Sequence, residues 1–198
     1  MIEFINYSSE KPYLKLKKCY ENALNNHQSN IEAISISSYS QKEKEVDSRF
    51  VNLKIINNNE LIFFSNYRSE KSIQFEDHNQ IAAIFYWDSI NTQIRMKATI
   101  KKTSINLNKS HFKKRSKEKN ALAISSKQSK KIISYEKVLK NFQMAYGNSD
   151  LTACPEYWGG YAFTPYYFEF WEGHSSRINK RDFYELIEGN WNDGILQP

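Results

Sequence analysis

The segment Tyr157 to Arg181 reads YWGGYAFTPYYFEFWEGHSSRINKR, and two arginines, Arg177 and Arg181, follow its aromatic run closely enough to reach one anionic ligand. The run FEFWEG alternates as a strand does, with Phe168, Phe170 and Glu172 facing one way and Glu169 and Trp171 the other. A flat aromatic surface beside fixed cations suits a planar, phosphorylated molecule, because a guanidinium binds phosphate oxygens in bidentate fashion. A core strand gives the same pattern, and that is the commoner fate of aromatic residues.

Other chemistries find less support. Cys19 and Cys154 are far apart and form no CxxC or Cys/His cluster, and His27, His78, His111 and His174 are scattered, so no metal site is expected. Two free thiols, a first segment without a secretion-signal pattern and no membrane-length apolar run together predict a cytoplasmic protein with no membrane partner. The net charge of +6 is uneven: Lys101 to Lys131 holds eleven Lys or Arg and one acid, Glu118. That segment is therefore +10 and the remainder about −4, by difference from the total. A basic segment could meet nucleic acid or serve as a funnel for a small anion. No nucleic-acid motif accompanies it and no aromatics interleave with it, so nucleic acid is not the expected partner.

At 198 residues, rich in Tyr, Phe and Trp, the chain predicts one domain over 1–198 with a helical segment over 1–28. Pro12 starts a helical pattern through Tyr13, Leu16, Cys19, Tyr20 and Ala23. Strands are expected over 31–39, 50–56, 60–66, 81–87, 92–103, 161–171 and 182–188. Asn57-Asn58-Asn59 supplies a hairpin turn. Ser69 is expected to cap a helix to about Asp77, and further helices are expected around 109–119 and 134–146. Strands in adjacent hairpins with peripheral helices give a mainly β fold, an antiparallel barrel.

Seven short patterns then fall in order: SRFVNLK from Ser48, IFFSNYRSEK from Ile62, TQIRMKA from Thr92, SSKQS from Ser125, WGGY from Trp158, FEFWEG from Phe168, and SSRINKR to Arg181. In that order and spacing the chain resembles the pyridoxine/pyridoxamine 5′-phosphate oxidase family from about Pro12 to the Trp191…Leu196-Gln197-Pro198 end. The resemblance implies an FMN-binding split β-barrel and a homodimer with both flavin sites at the subunit interface. It implies that Arg49 holds the flavin phosphate while the strand through Phe50, Val51, Asn52, Leu53 and Lys54 lies along the flavin. Phe64 and Ser65 match an aromatic–hydroxyl pair beside the cofactor. Lys71 matches a second phosphate cation, aided by the helix dipole. Gln93, Gln128 and Ser129 match polar flavin ligands, and Trp171 and Arg181 complete the shell.

For the substrate, the resemblance implies that Arg115 holds a phosphate and that Arg177 and Lys54 orient the ring, these two as the catalytic pair. Three substrate positions depart from the family: His111 stands for a tyrosine, Lys119 for a serine, and Asn179 for the histidine of Arg-x-His. Glu70 replaces a basic residue before Lys71, which predicts a weaker hold on FMN. The implied activity is oxidation of pyridoxamine or pyridoxine 5′-phosphate to pyridoxal 5′-phosphate by dioxygen. The alternatives are a related FMN oxidase for another anionic aromatic compound, of the phenazine-precursor type, and a non-catalytic FMN- or pyridoxal-phosphate-binding protein.

Overall fold

A computed structural model describes all residues, 1–198. In chain order the elements are β1 (Glu3–Ile5), α1 (Lys11–Asn25), β2 (Ala33–Ser40), β3 (Glu45–Asn57), β4 (Glu60–Asn66), α2 (Glu70–Asp77), β5 (Gln80–Trp87), β6 (Thr92–Lys102), α3 (Ile105–Lys114), α4 (Lys117–Ser125), α5 (Tyr135–Asn148), β7 (Trp158–Glu172), β8 (Lys180–Ile187) and β9 (Asn190–Ile195). Six strands close on themselves in the order β3-β2-β5-β6-β7-β4 and back to β3, every pair antiparallel. A closed ring leaves no free edge among these six. Outside it, β1 runs parallel to β3, and β8 and β9 extend from β7.

The sheet splits at one place, in the middle of β7. Residues 158–163 pair with β4, whereas 167–172 pair with β8, and β6 pairs with the strand from Tyr161 to Glu172. At the changeover stand Pro165, which has no N–H to donate, and Tyr166, which the β6 register skips. The extra residue shifts the inward parity: Tyr161 and Phe163 face the core before it, Phe168 and Phe170 after it. They meet Ile94, Met96, Ala98 and Ile100 of β6 and Ile81, Ala83, Phe85 and Trp87 of β5. Tyr13, Leu16, Tyr20 and Ala23 of α1 are buried in the same cluster, at the three- and four-residue spacing read from the sequence.

Several expectations need correction. The first 28 residues carry a strand, β1, as well as the helix, and β9 completes the C-terminal hairpin. The helix expected over 109–119 is two helices broken at Arg115 and Ser116, because the Ser116 hydroxyl accepts from Lys119 N and starts α4 afresh. Ser69 does not cap α2 with its side chain; its hydroxyl donates instead to Asn66 O at 2.8 Å.

Candidate functional site

Between β3, β4, α2, α3 and α4 lies a cavity of about 520 Å3. It gathers Arg49, Phe50, Val51, Asn52 and Lys54 from β3, Phe64 and Ser65 from β4, and Lys71 from the first turn of α2. His111 comes from α3, Arg115 from the break after it and Lys119 from α4, with Gln128 and Ser129 from the loop after α4. Thirteen of the residues singled out from sequence therefore line one space. Asp47, Ser48, Glu70 and Trp158 also line it; Glu70 is the acid expected beside Lys71, and the other three were given no site role from the sequence. Trp158 begins the WGGY motif, so its signal was present; Asp47 lies one residue before the SRFVNLK pattern and had none.

A buried asparagine sets the position of α3. Asn108 Oδ1 accepts from Gly160 N at 2.8 Å and from Thr103 Oγ1 at 2.6 Å, and its Nδ2 donates to Tyr67 Oη at 2.9 Å. A Cβ on Gly159 would overlap Tyr67 and Asn108, so the first glycine of WGGY permits this close approach. Asn120 Nδ2 then donates to Phe112 O at 2.9 Å, tying α4 to α3. These bonds fix His111 and Arg115 relative to β4 and β7.

Aromatic rings form one wall. The His111 and Phe64 rings stack, Phe64 and Trp158 lie within 7° of parallel at 5.3 Å, and the Arg115 guanidinium sits 4.6 Å from the Trp158 ring centre. Burial, reinforced by the charges of Arg115, Lys54 and Lys114, pushes the His111 imidazole down to about 4, so it is neutral at pH 7. Arg115 is also lowered by burial; its Nη2 donates to Lys119 O at 3.1 Å, while Nη1 is buried with no partner. A buried donor left open costs free energy unless something fills it.

The second group of cations is Arg49 and Lys71. Lys71 is buried, and desolvation followed by the charge of Arg49 lowers its ammonium to about 8. Its Nζ donates to Ser69 Oγ at 3.2 Å. Lys54 forms an ion pair with Glu32 at 2.8 Å, and that hydrogen bond holds the Glu32 carboxyl below its usual range.

Six of the expected site residues lie outside this cavity. Leu53 points into the core, fully buried, and its N–H donates to Glu32 O at 2.8 Å. Gln93, Trp171 and Arg181 face one another across β6, β7 and β8, in a single cross-strand row. Arg181 Nε donates to Glu169 Oε1 at 2.9 Å, which raises the guanidinium further, and Nη1 donates to Gln197 O at 2.7 Å. Arg177 is exposed in the loop after β7 at φ 62°, and Asn179 Oδ1 accepts from His174 N at 3.0 Å. No group of His, Cys, Asp and Glu could hold a metal ion.

Residues 158–198 match the model of the pyridoxine 5′-phosphate oxidase C-terminal dimerisation region, which here comprises β7, β8 and β9. A pyridoxine/pyridoxamine 5′-phosphate oxidase of Hydrogenovibrio crunogenus is 32% identical over 94% of this chain and 88% of its own length. Among solved structures, PhzG from Burkholderia lata, in complex with tetrahydrophenazine-1-carboxylic acid, superposes with a TM-score of 0.88 at 21% identity, over 95% of this chain and 93% of that one. A pyridoxamine 5′-phosphate oxidase-related, FMN-binding protein of Nostoc punctiforme gives a TM-score of 0.79 at 14% identity, over 96% of this chain and all of that one. The two structures share the fold, and the identity to the curated relative across nearly the whole of both chains decides the rest: this chain belongs to the pyridoxine/pyridoxamine 5′-phosphate oxidase family.

Proposed function

We propose that the protein is an FMN-dependent oxidase converting pyridoxamine or pyridoxine 5′-phosphate to pyridoxal 5′-phosphate, working as a homodimer in the cytoplasm. The observation that carries this reading is the pairing of two cation groups with one aromatic wall: Arg49 and Lys71 in one group, Arg115 and Lys119 in the other, and Phe64, His111 and Trp158 in the same cavity. Two anionic groups, a flavin phosphate and a substrate phosphate, suit two cationic seats. The open Nη1 of Arg115 is a buried donor in want of an acceptor, which a phosphate oxygen supplies.

The residues fit FMN at one seat. Lys71 stands in the first turn of α2, where the helix dipole adds to its charge, and Ser65, Asn52, Gln128 and Ser129 offer polar atoms. FMN bound there would supply the two-electron acceptor that no side chain here can provide, with dioxygen as the final oxidant. The chain's own residues bind and orient. Arg115 and Lys119 hold the substrate phosphate, Lys54 orients the ring, and the neutral His111 offers one donor and one acceptor without adding charge. Arg177 supplies the remaining contact to the substrate ring from its exposed loop. No covalent nucleophile is required. The row Gln93–Trp171–Arg181 lies within or beside the matched dimerisation region, and in a dimer it completes the partner subunit's flavin seat.

A second reading, oxidation of a different anionic aromatic compound, is favoured by His111 and Lys119, which change two substrate positions while keeping polar or cationic character. Anaerobic mixing of the flavin-loaded protein with pyridoxamine 5′-phosphate, pyridoxine 5′-phosphate and a panel of aromatic carboxylates decides among them. Bleaching of the flavin absorbance by the B6 phosphates supports the first reading, and bleaching only by a carboxylate supports the second. Flavin that stays oxidised with every compound leaves a binding role.

A further inference from the structure

Arg49 carries five N–H groups, and four are already committed. Nη1 donates to Ile36 O at 3.2 Å and to Ser38 Oγ at 2.6 Å, while Nη2 donates to Gln74 Oε1 at 3.1 Å and to the Asp47 carboxylate. Ile36 and Ser38 are buried, and neither they nor Gln74 lines the cavity, whereas Asp47 does. Three uncharged acceptors therefore fix the guanidinium from behind, and the carboxylate is its partner on the open side. Asp47 and Arg49 are two apart on β3, so they share a face of the strand. The Asp47 side chain is 53% exposed and has room to turn away.

Charge in the lining is correspondingly uneven. Asp47 and Glu70 are its acids, and both act on Lys71, next to Arg49. Arg115 and Lys119 line the same cavity with no carboxylate bonded to either. The end holding Arg49 and Lys71 is thus neutralised from within, while the end holding Arg115 is not.

We infer that Asp47 is a carboxylate latch on Arg49, displaced when a ligand phosphate enters, and that it sets how tightly the phosphate end of the cavity is held. A phosphate monoester, with up to two charges and three acceptor oxygens, can replace a single carboxylate on a guanidinium. The alternative role for such a carboxylate is to brace the arginine, but Ile36 O, Ser38 and Gln74 already do that. The inference rests on reading this end of the cavity as the FMN phosphate seat.

The test is a fluorescence titration of the full-length, flavin-stripped protein with FMN and with riboflavin, which lacks the phosphate, in wild type, Asp47→Asn and Asp47→Ser. Both variants are expected to bind FMN roughly tenfold more tightly, the order for removing one like charge near a phosphate, with riboflavin unchanged. The serine variant guards against a fold-specific fault in the other. Weaker or unchanged FMN binding in both variants, with wild type still binding FMN, overturns the latch alone. Equal shifts for FMN and riboflavin also overturn it, because the effect would not be on the phosphate. Failure of FMN to bind any of the three proteins overturns the flavin reading of the cavity, and the latch with it.

Discussion

The imidazole of His111 lies flat on the ring of Phe64, with centroids 3.7 Å apart and planes within 4°. Phe64 continues the stack to Trp158, so α3, β4 and β7 each contribute one ring to the wall. A protonated imidazole there would lose hydration and face Arg115, Lys54 and Lys114 together. His111 thus contributes a polar, neutral ring to the wall where the resemblance implies a tyrosine.

That burial predicts a pH effect on stability. The folded value of about 4 lies below the ordinary 6.5, so the unfolded chain takes up the proton first as pH falls. The contribution of His111 is complete above pH 6.5 and is lost as pH drops toward 4. Urea midpoints for wild type and His111→Phe at pH 7 and pH 4.5 isolate it from the carboxylates. The variant is expected to lose less stability across that interval, and equal losses would remove His111 from the account.

Arg115 should separate substrate binding from flavin retention. Charge-assisted hydrogen bonds contribute roughly 1.5–3 kcal/mol, so Arg115→Ala should raise KM for pyridoxamine 5′-phosphate by about ten- to a hundredfold. Arg115→Lys should recover little, because an ammonium cannot reproduce the planar guanidinium over Trp158. Steady-state kinetics with flavin content measured on the same samples checks both. Loss of flavin in Arg115→Ala would place this residue at the cofactor instead.

Much of this arrangement was legible in the residues. The Asn57-Asn58-Asn59 turn set the start of β4, which runs from Glu60 to Asn66, and the motif order led to the cavity residues from Arg49 to Ser129. What stayed hidden follows from the physics of each case. Tyr166 bulges beside Pro165 where β7 passes from β4 to β8, an event that depends on which strand lies alongside. Glu169 reads as an outward-facing acid, yet it is 2% exposed because Arg181 and Arg95 come from neighbouring strands. The separation of Gln93, Trp171 and Arg181 from the cavity is likewise a matter of topology, which local patterns do not carry.

Glu169 itself gives a stability prediction. Its Oε1 accepts from Arg181 Nε and pairs with Nη2 at 2.9 Å, and its Oε2 lies 3.3 Å from Arg95 Nη2. Glu169→Gln removes the buried charge and turns an amide N–H toward a guanidinium, weakening both arginine contacts. A loss of about 1–3 kcal/mol is expected, below the figure for a fully buried pair because both arginines are partly exposed. Arg95→Ala, at the more exposed arginine, should cost less. Denaturant unfolding measures both, and a Glu169→Gln protein as stable as wild type would show that the network adds nothing.

The division of the proposed flavin residues between two places predicts how two variants, each impaired alone, should behave together. Arg49 lines the cavity, whereas Arg181 stands in the row with Gln93 and Trp171, outside it. If the row of one subunit completes the cavity of the other, Arg49→Ala and Arg181→Ala homodimers each carry a lesion in both sites. A mixed dimer is different. One of its sites then combines both lesions, and the other combines the intact Arg49 of one subunit with the intact Arg181 of its partner. Co-expression with two affinity tags, followed by FMN titration of the doubly tagged dimer, should therefore recover one site per dimer with wild-type affinity. If both arginines served a site within their own chain, each site of the mixed dimer would lack one arginine and neither would recover. Recovery of half the wild-type flavin, together with oxidase turnover from that half, is the outcome expected of an interface site.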